Sequence, residues 1–276
     1  MPIRSNSFII FVLVFFDTNT YINLKIVMIR TTKMRYDNYI FDFYGTLVDI
    51  HTNEDKPYLW RKMAAILTDL GFPYTAKALK SDYNRFVEEE KACVRERNGL
   101  THIDIELRKV FRRLLSPWVT DELVDYVAIT FRVISREKIT LYEDVPQIFD
   151  LIHSKGGKVF LLSNAQSCFT VPEIKTVGIY DMFDDIFISS DYEMSKPSPE
   201  FMMALVRKHK LDISRSIMIG NDYTSDIKIA QNTGMDSLYL QTNTSPKPLP
   251  AQMIGATYTD MTSTEPTLSK FISIMD

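Results

Sequence analysis

Chemically capable side chains follow three short apolar runs of the chain. Asp42, Ser163-Asn164 and Asn221-Asp222 each come directly after such a run, and Lys196 stands in an isolated Lys196-Pro197 pair. If the runs are parallel strands, their carboxyl ends lie along one edge of a sheet, where α/β proteins bind their ligands. We therefore interpret these residues as parts of one site.

The residue types indicate transfer of a group to a carboxylate. Asp42 is placed to attack phosphorus or carbon and form a covalent intermediate. The Ser163 hydroxyl can donate a hydrogen bond to a phosphoryl or carboxylate oxygen, and Lys196 can neutralise its charge. We predict that Asp42, Ser163 and Lys196 are the catalytic residues.

The residues next to Asp42 and Ser163 are predicted to bind the substrate. Gly45 permits a tight chain reversal and close approach of a ligand. The Thr46 hydroxyl and the neighbouring backbone amides, including that of Tyr44, can bind an anionic group. The backbone N–H of Asn164 can do the same. Taken alone, Ser163-Asn164 would be more typical of a turn or a helix cap than of a binding site.

Two further acids suggest a metal site. Asp222 and Asp226 are expected to lie near Asp42, and three clustered carboxylates repel one another. A hard divalent cation with oxygen ligands resolves this repulsion, and Mg²⁺ suits carboxylates, a backbone carbonyl and waters. We predict that Asp42, the Tyr44 backbone carbonyl, Asp222 and Asp226 hold Mg²⁺. Asp226 alone would be an ordinary charge in the first turn of a helix.

Composition excludes several classes of partner. The chain has 276 residues, enough for one or two domains, and its 32 basic and 35 acidic residues give a net charge of −3. This balance, without a basic run, predicts neither a nucleic-acid nor a membrane partner. The two cysteines cannot form a disulfide framework and fit a cytoplasmic protein. Oligomeric state is left open.

The pattern of the chain predicts the elements that position the site. Four helical patterns occur near 55–70, 75–97, 103–115 and 120–136, with apolar residues at three- and four-residue spacing. Elsewhere, short apolar strands alternate with helices, which indicates a parallel sheet covered on both faces. We predict an α/β fold with a doubly wound, Rossmann-like core over 34–50 and 140–276, and an inserted helical cap over 51–139.

The first 33 residues are interpreted separately. The apolar run Phe8 to Phe16 is too short to span a bilayer, which takes about 20 residues. We interpret 1–33 as a leader outside the fold or an over-extended gene start, with Met34 as the true start. An export or anchor signal is the alternative, although no clear cleavage site follows the run.

Four segments together resemble the motifs of the haloacid dehalogenase-like hydrolase superfamily. Asp42-Phe-Tyr-Gly-Thr-Leu-Val-Asp49 resembles the first motif and Leu162-Ser163-Asn164 the second. Ser195-Lys196-Pro197 resembles the third, and Gly220-Asn221-Asp222-Tyr-Thr-Ser-Asp226 the fourth. The helical insertion between the first two is similar to the C1-capped branch. The resemblance implies the Rossmann-like fold, an aspartyl nucleophile at Asp42 and a Mg²⁺ cofactor.

Tyr44 departs from the pattern of the phosphatases in that superfamily. They usually carry a second Asp at this position, which protonates the leaving group and later activates water. A phenol with a pKa near 10 is a poor base at neutral pH, and losing a general acid/base costs roughly 10²–10⁴ in rate. Tyrosine here is similar to the 2-haloacid dehalogenases, which need no metal and lack the acids of the fourth motif.

The retained acids favour the phosphatase interpretation, because three converging carboxylates without a cation would be costly. We predict a Mg²⁺-dependent phosphomonoesterase that acts on a small phosphorylated metabolite through an aspartyl-phosphate on Asp42. A metal-independent, 2-haloacid dehalogenase-like hydrolase and a catalytically weak regulatory member remain as alternatives. The sequence does not identify the substrate.

Overall fold

The computed structural model describes residues 34–242 and 244–246 with their side chains, and the strand backbones 8–16, 22–30 and 256–260. Strands β1 (Phe8–Phe16) and β2 (Ile22–Arg30) pair antiparallel in a separate two-stranded sheet. The rest of the predicted leader, 1–33, lies outside the described residues. That boundary stays a prediction.

The remaining strands form one large and one small sheet. Their bounds are β3 (Asn38–Phe41), β4 (Val48–Thr52), β5 (Arg136–Leu141), β6 (Lys158–Ser163), β7 (Asp185–Ile188), β8 (Ser216–Gly220), β9 (Asp236–Gln241) and β10 (Ala256–Asp260). The large sheet has the order β10-β9-β8-β3-β6-β7, and all its neighbours are parallel. Because β6 and β8 flank β3 on opposite sides, the chain order reverses at β3, which is where doubly wound sheets bind ligands.

Helices cover both faces of this sheet, as predicted. Their numbers follow those of the four helices between β4 and β5, which are described below. They are α5 (Val145–Ser154), α6 (Ser167–Thr176), α7 (Ser189–Tyr192), α8 (Pro199–His209) and α9 (Lys228–Thr233). Successive residues of a strand face opposite sides. Phe41 accordingly packs with Phe149 of α5, and Ile40 packs with Phe201 of α8. The Rossmann-like α/β fold is confirmed.

The cap consists of four helices with their own apolar core. They are α1 (Pro57–Asp69), α2 (Ala76–Asn98), α3 (Leu107–Leu115) and α4 (Asp121–Ser135), close to the four predicted segments. Trp60, Phe111 and Phe131 are buried at the centre of the cap, and Phe169 of α6 joins them from the core domain. This contact joins the cap to the core. None of the helices in the described part of the chain is long and apolar enough to cross a membrane.

Strands β4 and β5 form the connection between core and cap. They pair antiparallel, with Val48 opposite Leu141, directly before α1 and after α4. The chain therefore enters and leaves the cap side by side, close to the end of β3. The sequence did not predict these two strands.

Candidate active site

The three predicted strand ends meet at one edge of the sheet. Phe41 of β3 pairs with Leu161 of β6 on one side and Ile219 of β8 on the other. The residues that follow therefore lie next to one another. They line a cavity of about 420 Å³ whose walls are Asp42, Tyr44, Gly45, Ile50, His51, Thr52, Ser163, Asn164, Lys196, Asn221, Asp222, Ser225, Asp226, Thr244 and Pro246.

Asp42 is held by the residues predicted to act with it. Its Oδ1 accepts hydrogen bonds from Ser163 Oγ at 3.0 Å and Lys196 Nζ at 2.7 Å. Its Oδ2 accepts one from Thr46 Oγ1 at 3.3 Å. Asp42 is 7% exposed and lines the cavity. A buried, oriented carboxylate that lines a cavity has the position that a nucleophile requires.

Lys196 joins Asp42 to Asp226. Its buried ammonium group donates to Asp226 Oδ1 at 2.6 Å as well as to Asp42. Burial raises the pKa of Asp226 to about 7, with the charge of Asp42 adding to the rise and Lys196 opposing it. Burial would lower the pKa of Lys196, but the two carboxylates outweigh it and raise that pKa. Two carboxylates share one ammonium, so an added cation would reduce the excess negative charge.

Gly220 and Gly45 allow the close packing of this cluster. A Cβ at Gly220 would lie 2.2 Å from Asp226 Oδ2. Gly45 has a φ of +81°, and a Cβ there would lie 2.4 Å from Asn221 Nδ2. A side chain at either glycine would therefore push apart the loops that carry the acids. For Gly45, the predicted tight chain reversal is also present, since its N–H donates to Val48 O at 2.8 Å.

Asp222 does not join the other two acids. Its Oδ1 accepts hydrogen bonds from the backbone N–H and the hydroxyl of Thr224, both at 2.7 Å, and so caps the turn that follows. Among the described residues, no three His, Cys, Asp or Glu side chains are grouped so that they could hold a metal ion. Of the three carboxylates predicted to converge, the structure brings together Asp42 and Asp226.

Of the predicted pair Asn221-Asp222, it is Asn221 whose side chain reaches the cluster around Asp42. Its buried amide oxygen accepts from Thr46 Oγ1 at 3.3 Å, the same hydroxyl that contacts Asp42. Its amide nitrogen donates to Thr242 at 3.2 Å and Thr244 at 3.0 Å. The sequence contains one sign of this role, because Asn221 directly follows β8 as Asp42 directly follows β3. The side-chain atoms of Asp42, Asp226 and Asn221 that could coordinate a metal ion are all oxygens, the type that Mg²⁺ prefers.

Asn164 positions Lys196. Its amide nitrogen donates to the carbonyl oxygen of Lys196 at 2.9 Å, and its amide oxygen accepts from the Lys196 N–H at 2.7 Å. These two bonds fix the backbone from which the ammonium reaches Asp42. Asn164 also lines the cavity, so its predicted contact with substrate stays a prediction.

We expect Asn164→Ala to lower the free energy of unfolding by about 1–3 kcal/mol, because both backbone groups of Lys196 lose a partner. Turnover should fall by up to about 10²-fold, since the ammonium is no longer held in place. Urea unfolding and kcat/KM measure the two effects. Asn164→Asp keeps the acceptor for the Lys196 N–H and should be affected less. An Ala variant with unchanged stability and turnover would contradict the positioning role.

The hydroxyl of Tyr44 points away from Asp42. It donates to Glu173 Oε2 at 2.6 Å and is 2.9 Å from Thr170 Oγ1. Burial, followed by the charge of Glu173, raises the pKa of the Tyr44 phenol far above its ordinary value. The phenol therefore cannot act as a base at neutral pH.

Glu173 lies at the centre of a buried polar cluster that the sequence did not predict. Its Oε1 accepts from Arg132 Nε at 2.7 Å and from Arg136 at 2.8 Å. Glu173 is 2% exposed, and two guanidinium groups satisfy its carboxylate. Since Arg132 belongs to the cap and Glu173 to the core, the cluster links both domains to the loop after Asp42. A Glu inside a helical pattern carries no sequence sign of such a role.

Comparison with known proteins adds two kinds of similarity. The family model of haloacid dehalogenase-like hydrolases matches residues 74–240. A phosphoglycolate phosphatase of Vibrio vulnificus is 30% identical over 100 residues, which are 36% of this chain and 43% of that protein. The match thus spans less than half of that relative. A glyceraldehyde 3-phosphate phosphatase of Methanothermobacter thermautotrophicus is 24% identical over 72% of this chain and 82% of that protein.

Two solved structures share the architecture. A 2-haloacid dehalogenase from Pseudomonas syringae superimposes with a TM-score of 0.58 and 17% identity, over 86% of this chain and 98% of that chain. A HAD phosphatase from Thermococcus onnurineus superimposes with a TM-score of 0.51 and 14% identity, over 81% of this chain and 92% of that chain. At these identities the similarity establishes the fold alone.

Proposed function

The chain belongs to the haloacid dehalogenase-like hydrolase family, and from this membership we propose that it is a Mg²⁺-dependent phosphomonoesterase acting on a small phosphorylated metabolite. The observation that carries the proposal is the buried cluster of Asp42, Lys196 and Asp226 that lines the cavity. The names of its phosphatase relatives support the same reaction class. A cluster with excess negative charge suits a reaction that brings a cation and a phosphate together.

In the proposed reaction, an Asp42 oxygen attacks the phosphorus atom. The bond between phosphorus and the ester oxygen breaks, and its electron pair leaves with the alcohol oxygen as alkoxide, which takes a proton from solvent. Water then attacks the aspartyl-phosphate, releases inorganic phosphate and restores the carboxylate. Ser163 Oγ and Lys196 Nζ both lie within hydrogen-bond distance of Asp42, so they can donate to phosphoryl oxygens that are bound there.

Phosphatases of this family generally use Mg²⁺. We propose that the ion is held by Asp42, the backbone carbonyl of Tyr44 and Asp226, and we add Asn221 because its amide oxygen shares the Thr46 hydroxyl with Asp42. Asp222 is not included, because its carboxylate caps the following turn through Thr224. The bound ion would neutralise charge on the phosphoryl oxygens. The oxygen-only donor set and the excess negative charge fit this ion.

Dehalogenation is the second candidate, and Tyr44 is the observation that favours it. A halide leaves without a proton, so a site whose Tyr44 hydroxyl is bonded to Glu173 loses nothing in that step. The retained Asp226 argues against it, because without a metal ion two buried carboxylates, those of Asp42 and Asp226, share the single ammonium group of Lys196.

Two substrates distinguish the candidates. We expect turnover of p-nitrophenyl phosphate with Mg²⁺ that EDTA abolishes and added Mg²⁺ restores. Nitrophenolate is a good leaving group and needs little protonation, so Tyr44 should not prevent its release. Chloride release from 2-chloropropionate that persists in EDTA would instead establish the dehalogenase. A chain that turns over neither compound, nor any of a panel of phosphorylated metabolites, would refute both.

We also propose a cytoplasmic location and a small-molecule substrate as the main partner. Cys93 and Cys168 are both free thiols, as a reducing compartment would keep them. The 32 basic and 35 acidic residues nearly balance, so the charge of the chain gives no support for a nucleic-acid partner.

A further inference from the structure

Exposed apolar side chains are concentrated on helix α4 of the cap. The described residues contain seven large exposed hydrophobic side chains: Tyr58, Leu70, Trp118, Tyr126, Ile129, Val133 and Tyr180. Tyr126, Ile129 and Val133 belong to α4, and Trp118, which is 91% exposed, lies in the turn before it. Such clustering marks interaction surfaces, whereas single exposed apolar residues are normal.

The exposed residues of α4 form a continuous seam. Glu122, Tyr126, Ile129 and Val133 follow one another at intervals of four, three and four residues, so they lie on one side of the helix. The opposite side, including Val127 and Phe131, is buried in the cap core. The apolar core of the cap therefore does not use the residues of the seam. Their spacing of three and four residues is the one that helices use to pair with another helix.

A groove opens beside the C-terminal half of the seam. It has a volume of about 100 Å³ between α4 and α6, and its lining includes Ile129, Val133, Phe169 and Pro172. Tyr126, whose side chain is 53% exposed, projects from the N-terminal half of the same seam. The surface thus carries an exposed aromatic ring and a groove that begins about one helical turn further along α4, at Ile129.

This arrangement is complementary to itself. In an antiparallel pair of α4 helices centred on Ile129, Tyr126 of each copy comes level with Arg132 of the other, next to Val133 and at the groove that both residues line. Glu122 of each copy then faces the end of the other helix, where Arg136 lies. A surface that carries both members of each contact is the type that a two-fold symmetric dimer uses.

We propose that two copies of this chain form a two-fold symmetric dimer through α4, with Ile129 at the axis and Tyr126 of each copy in the α4–α6 groove of the other. Tyrosine and tryptophan are enriched among the residues that dominate such interfaces. The groove is also lined by Glu173, which accepts a hydrogen bond from the Tyr44 hydroxyl, and by Arg132, which binds Glu173. Dimer formation would therefore cover the polar cluster that joins the cap to the core.

Cross-linking at the axis tests the geometry. In a Cys93→Ala, Cys168→Ala background, Ile129→Cys should give a covalent dimer on mild oxidation, because the two copies of this residue meet at the axis. Leu70→Cys is the matched control, since Leu70 is 38% exposed and Ile129 39%. It should stay monomeric on a non-reducing gel. Equal cross-linking of both variants, or none at Ile129→Cys, would overturn the proposal.

Light scattering tests the association itself. The full chain should have twice its 32.0 kDa mass at micromolar concentration, and Val133→Glu should reduce it to one copy with unchanged circular dichroism and p-nitrophenyl phosphate turnover. Tyr58→Glu, at a site 53% exposed against 54% for Val133, should remain dimeric. A monomeric wild type would overturn the proposal, and so would a dimer that Val133→Glu leaves intact, as when another segment of the chain makes the contact.

Discussion

Replacement of Asp42 by Asn is expected to lower phosphate-ester turnover by about 10³-fold or more, because the covalent nucleophile is lost and only substrate binding remains. The amide oxygen can still accept from Ser163 and Lys196, so the site should keep its shape. One negative charge leaves the buried cluster, and the free energy of unfolding should therefore not fall. Steady-state turnover of p-nitrophenyl phosphate and thermal unfolding measure the two effects.

Asp49 provides the matched control for this variant. It is also a buried carboxylate near β3, but it lies in β4, pairs with Lys138 and does not line the cavity. Asp49→Asn should therefore keep most of the wild-type turnover. Acid-quenched wild-type enzyme should carry substrate phosphate on Asp42, detected by mass spectrometry. An Asp42→Asn variant that still turns over at a tenth of the wild-type rate would exclude Asp42 as the nucleophile.

The sheet and the cap helices were predictable because their apolar patterns are local. Phe41 and Ile40 face opposite layers of helix, and short uninterrupted apolar runs are typical of such strands. The four cap helices each bury one side, which gives a helical spacing. Strands β4 and β5 were not predictable in this way, since each is short and the two are separated in the sequence by all four helices of the cap. Their pairing depends on contacts distant in the sequence.

The candidate site was predictable to the level of the strand end but not of the side-chain direction. Asp42 and Ser163 meet as expected because neighbouring strand ends of a parallel sheet share an edge. Lys196 lies in the loop between α7 and α8 and reaches the same edge, as the resemblance to the third motif implied. Asn221 and Asp222 are neighbours, and the choice between them depends on the turn that Asp222 caps through Thr224. A sequence pattern does not resolve this single-residue difference.

Tyr44→Asp is expected to raise the turnover of alkyl phosphates by about 10²-fold, because it supplies a carboxyl group that can protonate the leaving alkoxide. Glu173 loses the Tyr44 hydroxyl but keeps both Arg132 and Arg136, so its buried charge remains paired. p-Nitrophenyl phosphate should gain much less, since nitrophenolate leaves without a proton. The ratio of kcat for glycerol phosphate to kcat for p-nitrophenyl phosphate is therefore the quantity to measure.

Tyr44→Phe separates the role of the ring from that of the hydroxyl. It removes the bonds to Glu173 and Thr170 and should lower the free energy of unfolding by about 1–2 kcal/mol. Turnover of both substrates should stay near the wild-type level, because a phenol bonded to Glu173 transfers no proton to the leaving group. A large loss of turnover in Tyr44→Phe, or an equal gain for both substrates in Tyr44→Asp, would show that the position acts in another way. In the expected case, the hydroxyl stabilises the contact between cap and core, and the absent carboxyl group slows the release of alkoxide leaving groups.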